Sequence, residues 1–228
     1  MTESASRPTR PALSREYILQ VALRLIDRDG LDALTMRRLG AELGSDPMAV
    51  YRHLPGKAEL LDGVTEILWA EALDPAAFRP ELPWREQAAG IMRRLRRVLL
   101  GHPRALPLMG THPLVTEGQY RLVEAALAAL ERGGLPLGPD ALHLVNAVVA
   151  YTLGHALAEA AEPAGGAGGR PDLEQAQRNL QRLPHLSAIL SPWLSRGAGE
   201  MDAERGFETG LRALLDGWPE PGPASAAD

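Results

Sequence analysis

The sequence has no cysteine among its 228 residues, which excludes disulfides and every metal site built on thiolates. Aromatic side chains make up only 4% of it, so any core must be packed mainly from Leu, Ala and Val, as in helix-on-helix contact. The opening stretch MTESASRPTRPALS lacks the apolar run of a secretory leader. No apolar run approaches the roughly 20 residues of a membrane span. A cytoplasmic protein without a membrane partner is expected. Nor is there an HExxH, a GxSxG, a P-loop or a dinucleotide fingerprint. The one glycine-rich run, at 165–169, lies in a polar linker with no strand before it and is weak as a phosphate cradle. An enzyme is therefore disfavoured, and no metal or cofactor is expected.

Hydrophobic residues, at 45%, suffice for a substantial core, and the length suits two small domains or one helical body with a head. The net charge of −5 argues against indiscriminate nucleic-acid binding. Its distribution says more: residues 1–60 carry nine basic against eight acidic side chains, net +1, leaving −6 for the remainder. A weakly basic head on an acidic body fits a protein that touches DNA at one end.

The informative stretch runs from Thr35 to Lys57. Thr35 is suited to cap a helix in which Leu39 and Leu43 recur at helical spacing. Gly44 supplies a left-handed stop. Ser45 or Asp46 caps a second, very short helix, with Pro47 where a first turn tolerates it, and Pro55-Gly56 ends it. Val50 and Leu54 pack inward, leaving Met48, Ala49, Tyr51, Arg52 and His53 outside. Such a helix is poor core material and suits the DNA major groove, braced by the helix before it. On spacing alone, a solvated helical hairpin remains the alternative.

Around this unit the pattern is helical. Ser14 caps a helix with Ile18, Val21, Ala22, Leu25 and Ile26 on one stripe, ending at Gly30. Lys57 opens a helix with Leu60, Leu61, Val64, Ile67 and Leu68 inside. Further helices are expected over 84–100, 117–132, 140–161, 172–183, 185–193 and 202–217. The first of these carries Arg93, Arg94, Arg96 and Arg97, read as a solvated or ion-paired face. The 140–161 segment is apolar nearly all round, so it needs cover on more than one side. Together with the last helix it suits a symmetric dimer or a surface for another protein.

The stretch with Gly30, Leu34-Thr35, Arg37, Leu39-Gly40, Leu43-Gly44, Tyr51-Arg52-His53, Lys57 and Leu60-Leu61 resembles the DNA-binding domain of the tetracycline-repressor (TetR) family. The body resembles the tetracycline repressors as well, at MGTHP (109–113), Glu117-Gly118-Gln119-Tyr120, Tyr151-Thr152-Leu153-Gly154 and Gly206-Phe207 to Gly210-Leu211. The resemblance implies an all-α homodimer. A three-helix helix-turn-helix DNA-binding domain would occupy residues 14–60, between a disordered arm (1–13) and a larger helical ligand-binding and dimerisation domain (61–218). A disordered tail (219–228) would follow.

It also implies roles. Arg37 would read a base, and Thr35, Pro47, Met48, Ala49, Tyr51, Arg52, His53 and Lys57 would complete the contacts to a near-palindromic double-stranded operator. Met48, Ala49 and Arg52 depart from the tetracycline repressors, so the operator should differ. In the body, Thr111 and Gln119 match polar positions of the tetracycline site. Ile91 and Leu95 replace an asparagine and a phenylalanine, and Leu108 and Ala150 replace histidines, that of Leu108 being the magnesium ligand. His143, Asn146, Tyr151 and His155 are further candidates to face the cavity. Losing hard-metal ligands removes what a magnesium–tetracycline chelate needs. A mainly apolar small-molecule effector is expected instead. Whether it releases or recruits DNA stays open.

Overall fold

The computed structural model describes residues 12–160, 173–194 and 203–219. The expected arm, the 165–169 linker and the tail fall outside these, apart from residues 12, 13 and 219. Every regular element among the described residues is helical. The chain divides into two compact units, residues 1–135 and 136–228.

The first unit begins with α1 (Arg15–Asp29), whose N-cap Ser14 accepts the Tyr17 amide. Its inner stripe, with Ile18, Val21, Leu25 and Ile26 all nearly inaccessible, packs on α2 (Met36–Leu43) and α4 (Lys57–Ala72). Thr35 caps α2 through the Arg38 amide. Gly44 ends it in the left-handed conformation at φ 56°, where a side chain is strained. Asp46, rather than Ser45, caps α3 (Pro47–Tyr51) by accepting the Met48 amide. This helix closes two residues earlier than the sequence suggests. Arg52 is its C-cap, and the chain must straighten at Leu54, which precedes Pro55.

The rest of the unit is α5 (Trp84–Gly101), α6 (Leu106–Thr111) and α7 (Glu117–Arg132). Helix α7 opens with a reciprocal capping box between Thr116 and Gln119. Gln87 ties α5 to the end of α7, its Nε2 donating to the carbonyls of Ala129 and Leu82 at 3.0 Å each. Arg94 departs from the solvated face expected of its cluster. Its guanidinium donates to the carbonyls of Ala72 and Ala77 at 3.3 and 3.1 Å and lies over the Phe78 ring, closing the loop between α4 and α5.

In the second unit α8 (Pro139–Ala160) packs against α11 (Ala203–Asp216) through buried Leu144, Val148, Thr152, Ala156, Phe207, Leu211 and Leu215. The Tyr151 phenol lies where Gly210 has no Cβ and donates to the carbonyls of Phe207 and Gly206 at 3.0 and 3.2 Å. Helices α9 (Leu173–Leu180) and α10 (Pro184–Leu194) pack on each other. By length and a mean hydropathy of 1.4, α8 is apolar enough to cross a membrane, more than the sequence reading allowed. Little of it is covered by the described residues: Leu142 and Leu157 are 62% and 50% exposed.

Candidate nucleic-acid interface and effector site

The head's outer face is made by α2, α3 and the first turn of α4. Its inner face is fixed by Val50 and Leu54, 0% and 2% exposed, each contributing about 1.5–3 kcal/mol. A five-residue helix cannot hold itself, so α3 exists because these two anchors and the Asp46 cap seat it. Gly40 lets the turn come close, since a Cβ there would meet the Ser45 carbonyl at 3.2 Å and Pro47 at 3.4 Å. What remains outside is Met48, 68% exposed, with Tyr51, Arg52 and His53 beside it. Thr35, Arg37 and Lys57 are exposed too, while Pro47 and Ala49 are half-buried.

The arginines of this region divide by what they touch. Arg28 of α1 binds Glu42 of α2 through two parallel contacts of 2.9 and 3.0 Å and also holds Asp29. Arg38 binds Asp29 at 2.5 Å. The Arg28 bonds hold the Glu42 carboxyl below the ordinary carboxylate range, and they push the guanidinium's pKa upward. These four side chains brace α2 against α1. Arg37, one residue from Arg38 and pointing elsewhere, has no ion partner among the described residues, and neither has Arg52 or Lys57. Cations with no internal partner on one exposed face are what phosphate and base edges require. Lys57, the only lysine of the sequence, sits at the first position of α4, whose N-cap Gly56 offers no side-chain cap. The free amides there suit a phosphate oxygen.

The expected effector residues fall in both units. In the first, Ile91, Leu95 and Leu108 are buried, and Gln119 is fully buried. Gln119 Oε1 accepts the amides of Val115 and Thr116 at 2.8 and 3.0 Å, but its Nε2 is buried with no partner among the described residues. Thr111 is exposed, its hydroxyl donating to the Pro107 carbonyl at 2.6 Å. Trp69 of α4, which the sequence reading did not single out, also buries its ring N–H without a partner among the described residues. Its spacing marks it only as inward-facing. Ile91 additionally lines a cleft of about 60 Å³ with Phe78, Gln87 and Arg94, room for about two waters and too small for an effector.

In the second unit Tyr151 stacks on Phe207 at 5.7 Å, and His155 meets the same ring edge-on at 5.4 Å. His155 Nδ1 is buried without a hydrogen bond among the described residues, 3.8 Å from Glu159. Asn146 and Ala150 lie on the exposed side of α8.

Comparison with known proteins resolves what this arrangement belongs to. The family model for bacterial regulatory proteins of the tetR family matches residues 18–64, and that for the tetracyclin repressor-like C-terminal domain matches residues 79–220. The chain belongs to the TetR family. The class A tetracycline repressor of transposon 1721 from Escherichia coli is 30% identical over 209 residues, covering 90% of each chain. A helix-turn-helix regulator of Saccharopolyspora erythraea is 35% identical over 157 residues, 69% of this chain and 65% of that one. The structure of ActR from Streptomyces coelicolor in complex with actinorhodin superposes with a TM-score of 0.69 at 28% identity, covering 90% of this chain and 94% of ActR. TetR-family membership makes the chain a DNA-binding transcriptional regulator rather than an enzyme. It also establishes the all-α plan of a helix-turn-helix head and a helical C-terminal domain.

Proposed function

We propose that this TetR-family protein is a cytoplasmic repressor that binds a near-palindromic operator as a homodimer and is released by a mainly apolar small molecule. One observation carries the reading. The exposed face of α2, α3 and the start of α4 gathers Arg37, Arg52 and Lys57 without ion partners among the described residues, while neighbouring Arg28 and Arg38 are tied down. In this reading Arg37 takes a guanine through its bidentate fork. Met48 and Ala49 touch thymine methyls. Pro47, Arg52 and His53 line the base and sugar edges, Thr35 and Tyr51 hold the backbone, and Lys57 with the α4 amides holds phosphate. The domain boundary then lies near residue 60, where α4 leaves the head.

The effector reading rests on Gln119. Its buried Nε2 lacks an acceptor among the described residues, a situation natural proteins seldom leave uncorrected. A ligand carbonyl or hydroxyl would supply that acceptor, with the apolar Ile91, Leu95 and Leu108 covering the ligand's body. Within the second unit, Tyr151, bonded to α11 carbonyls, and His155 remain candidates for effector contact. ActR's complex with actinorhodin supports a small-molecule effector. The α8 face bearing Leu142 and Leu157 would pair with a second copy, setting two recognition helices about 34–36 Å apart.

Binding selection from a random duplex library with the purified, ligand-free protein tests the reading. A short palindrome recovered at moderate salt is the expected result. No enrichment by a folded dimer, with or without a panel of apolar metabolites, would overturn it.

A further inference from the structure

Two contacts, far apart in sequence and of the same chemistry, hold one short segment at both of its ends. His102, the C-cap of α5, places Nδ1 2.9 Å from Asp27 near the end of α1. His112, the C-cap of α6, places Nε2 2.6 Å from Asp62 on α4. Between them run a single 3-10 turn (Pro103–Ala105) and α6, which carries Leu108 and Thr111. Arg104, just inside the first joint, donates to the Arg28 carbonyl. The next residues of α1 and their partners are the brace already described: Arg28 with Glu42, and Asp29 with Arg38. The segment that carries candidate effector residues is therefore fastened to the two helices, α1 and α4, on which the DNA-reading unit is mounted. Both histidine side chains are about one-fifth exposed and their aspartates about one-quarter, so solvent screens the contacts less than a surface pair.

We propose that His102–Asp27 and His112–Asp62 form a proton-responsive clasp that sets operator affinity by holding the head in one orientation against α5–α7. The proposal rests on the operator reading above. Histidine is the side chain whose charge changes within the physiological range. When an imidazole is protonated, its contact with aspartate becomes a charge-assisted pair; when neutral, it keeps at most one ordinary hydrogen bond. Charged groups lie near each joint. Beside His102 stand Asp27 and Arg28 of α1, with Arg104. His112 meets Asp62 of α4; one turn further along α4, Glu66 lies 3.9 Å from Arg15 of α1, and Glu117 at the start of α7 is paired with Arg121. Raising the pH therefore loosens both joints together. A loosened head has more orientations to surrender on binding, so the operator is held more weakly.

The test uses the full-length protein in a His53→Gln background, which removes the imidazole on the DNA face at a loss common to every variant. Operator affinity is measured by fluorescence anisotropy across about pH 5 to 8. In that background affinity should fall about three- to tenfold as pH rises. The added pair His102→Gln and His112→Gln should flatten the profile. Exchanging the first joint, as Asp27→His with His102→Asp, should restore part of the slope that His102→Gln alone removes. Circular dichroism and thermal melts confirm that each variant is folded. A slope unchanged by the glutamines, or not restored by the exchange in a folded protein, overturns the clasp. Should no operator be found at all, amide protection over residues 106–111 separates the two ideas. Protection that falls with pH in the H53Q background but not in the double glutamine variant keeps the clasp while the operator reading fails. Equal protection profiles remove the clasp on its own terms.

Discussion

Arg37 and Arg38 are adjacent arginines on one exposed helix, yet the structure assigns them opposite fates. Arg38 binds Asp29 at 2.5 Å, with side chains 47% and 23% exposed. Arg37 has no ion partner among the described residues. Removing Arg38 breaks a partly exposed brace, a loss under about 1 kcal/mol per head that falls on every DNA sequence alike. Removing Arg37 deletes a base contact worth about 1–3 kcal/mol. A dimer uses it twice, so an operator should lose about 2–6 kcal/mol, or about thirtyfold to ten-thousandfold in Kd. The distinguishing quantity is the pattern. Anisotropy titrations of Arg37→Ala and Arg38→Ala against the operator and its single-base variants should show Arg37→Ala indifferent to one base position per half-site. Arg38→Ala should keep the wild-type ranking at every position. Uniform losses for Arg37→Ala, or a position-specific loss for Arg38→Ala, would refute the division of labour drawn from the ion pairs.

Lys57→Ala should weaken binding to all sequences and lower the salt slope by about one per site. Because the sequence has a single lysine, reductive methylation of amines probes that position and the N-terminus alone, and bound operator should protect it. Asp46→Ala should lower the melting temperature by about 2–4 °C through loss of a cap worth about 1 kcal/mol. Asp46→Asn keeps the cap and removes a negative charge from the DNA face, so its stability should match wild type and its operator binding should equal or exceed it. Gly210→Ala should destabilise the α8–α11 pair in calorimetry, because the new methyl collides with the Tyr151 phenol, and Tyr151→Phe should relieve part of that loss. The Arg28–Glu42 brace should fail in acid. Glu42 has a folded-state pKa below its ordinary 4.5, so its contribution is complete above that value and disappears as pH falls through the lower one. Glu42→Gln should remove that portion of the acid dependence in a pH series of thermal melts.

The features readable from sequence are those settled within a few residues. Ser14, Thr35 and Gly44 act where their side-chain or backbone chemistry predicts, and Asp46 was one of two candidates for its cap. The inward spacing of Val50 and Leu54 predicts their burial, and the proline-bounded length of α3 follows to within two residues. What sequence spacing does not reveal is pairing across long separations. His102 meets Asp27 across 75 residues, His112 meets Asp62 across 50, and Gln87 reaches Ala129 across 42. Neither partner carries a local signature, since a histidine beside a proline looks the same whether solvated or clasped. Arg94 misled for the related reason that a run of arginines says nothing about nearby carbonyls. The side of α8 is a third case. With apolar residues nearly all round, periodicity cannot show that Asn146 and Ala150 lie on the exposed side while Tyr151 turns toward Phe207.

The division of α3 into two inward anchors and a set of outward side chains has an evolutionary consequence. Val50, Leu54 and the Asp46-Pro47 start carry the folding information of this helix, and Met48, Ala49, Arg52 and His53 carry almost none. Changes at those four positions are close to neutral for stability, so after gene duplication a descendant can drift to a new DNA address without passing through an unfolded intermediate. The same separation offers engineers a small, nearly independent alphabet for mutually orthogonal genetic switches, with the sensing body left untouched.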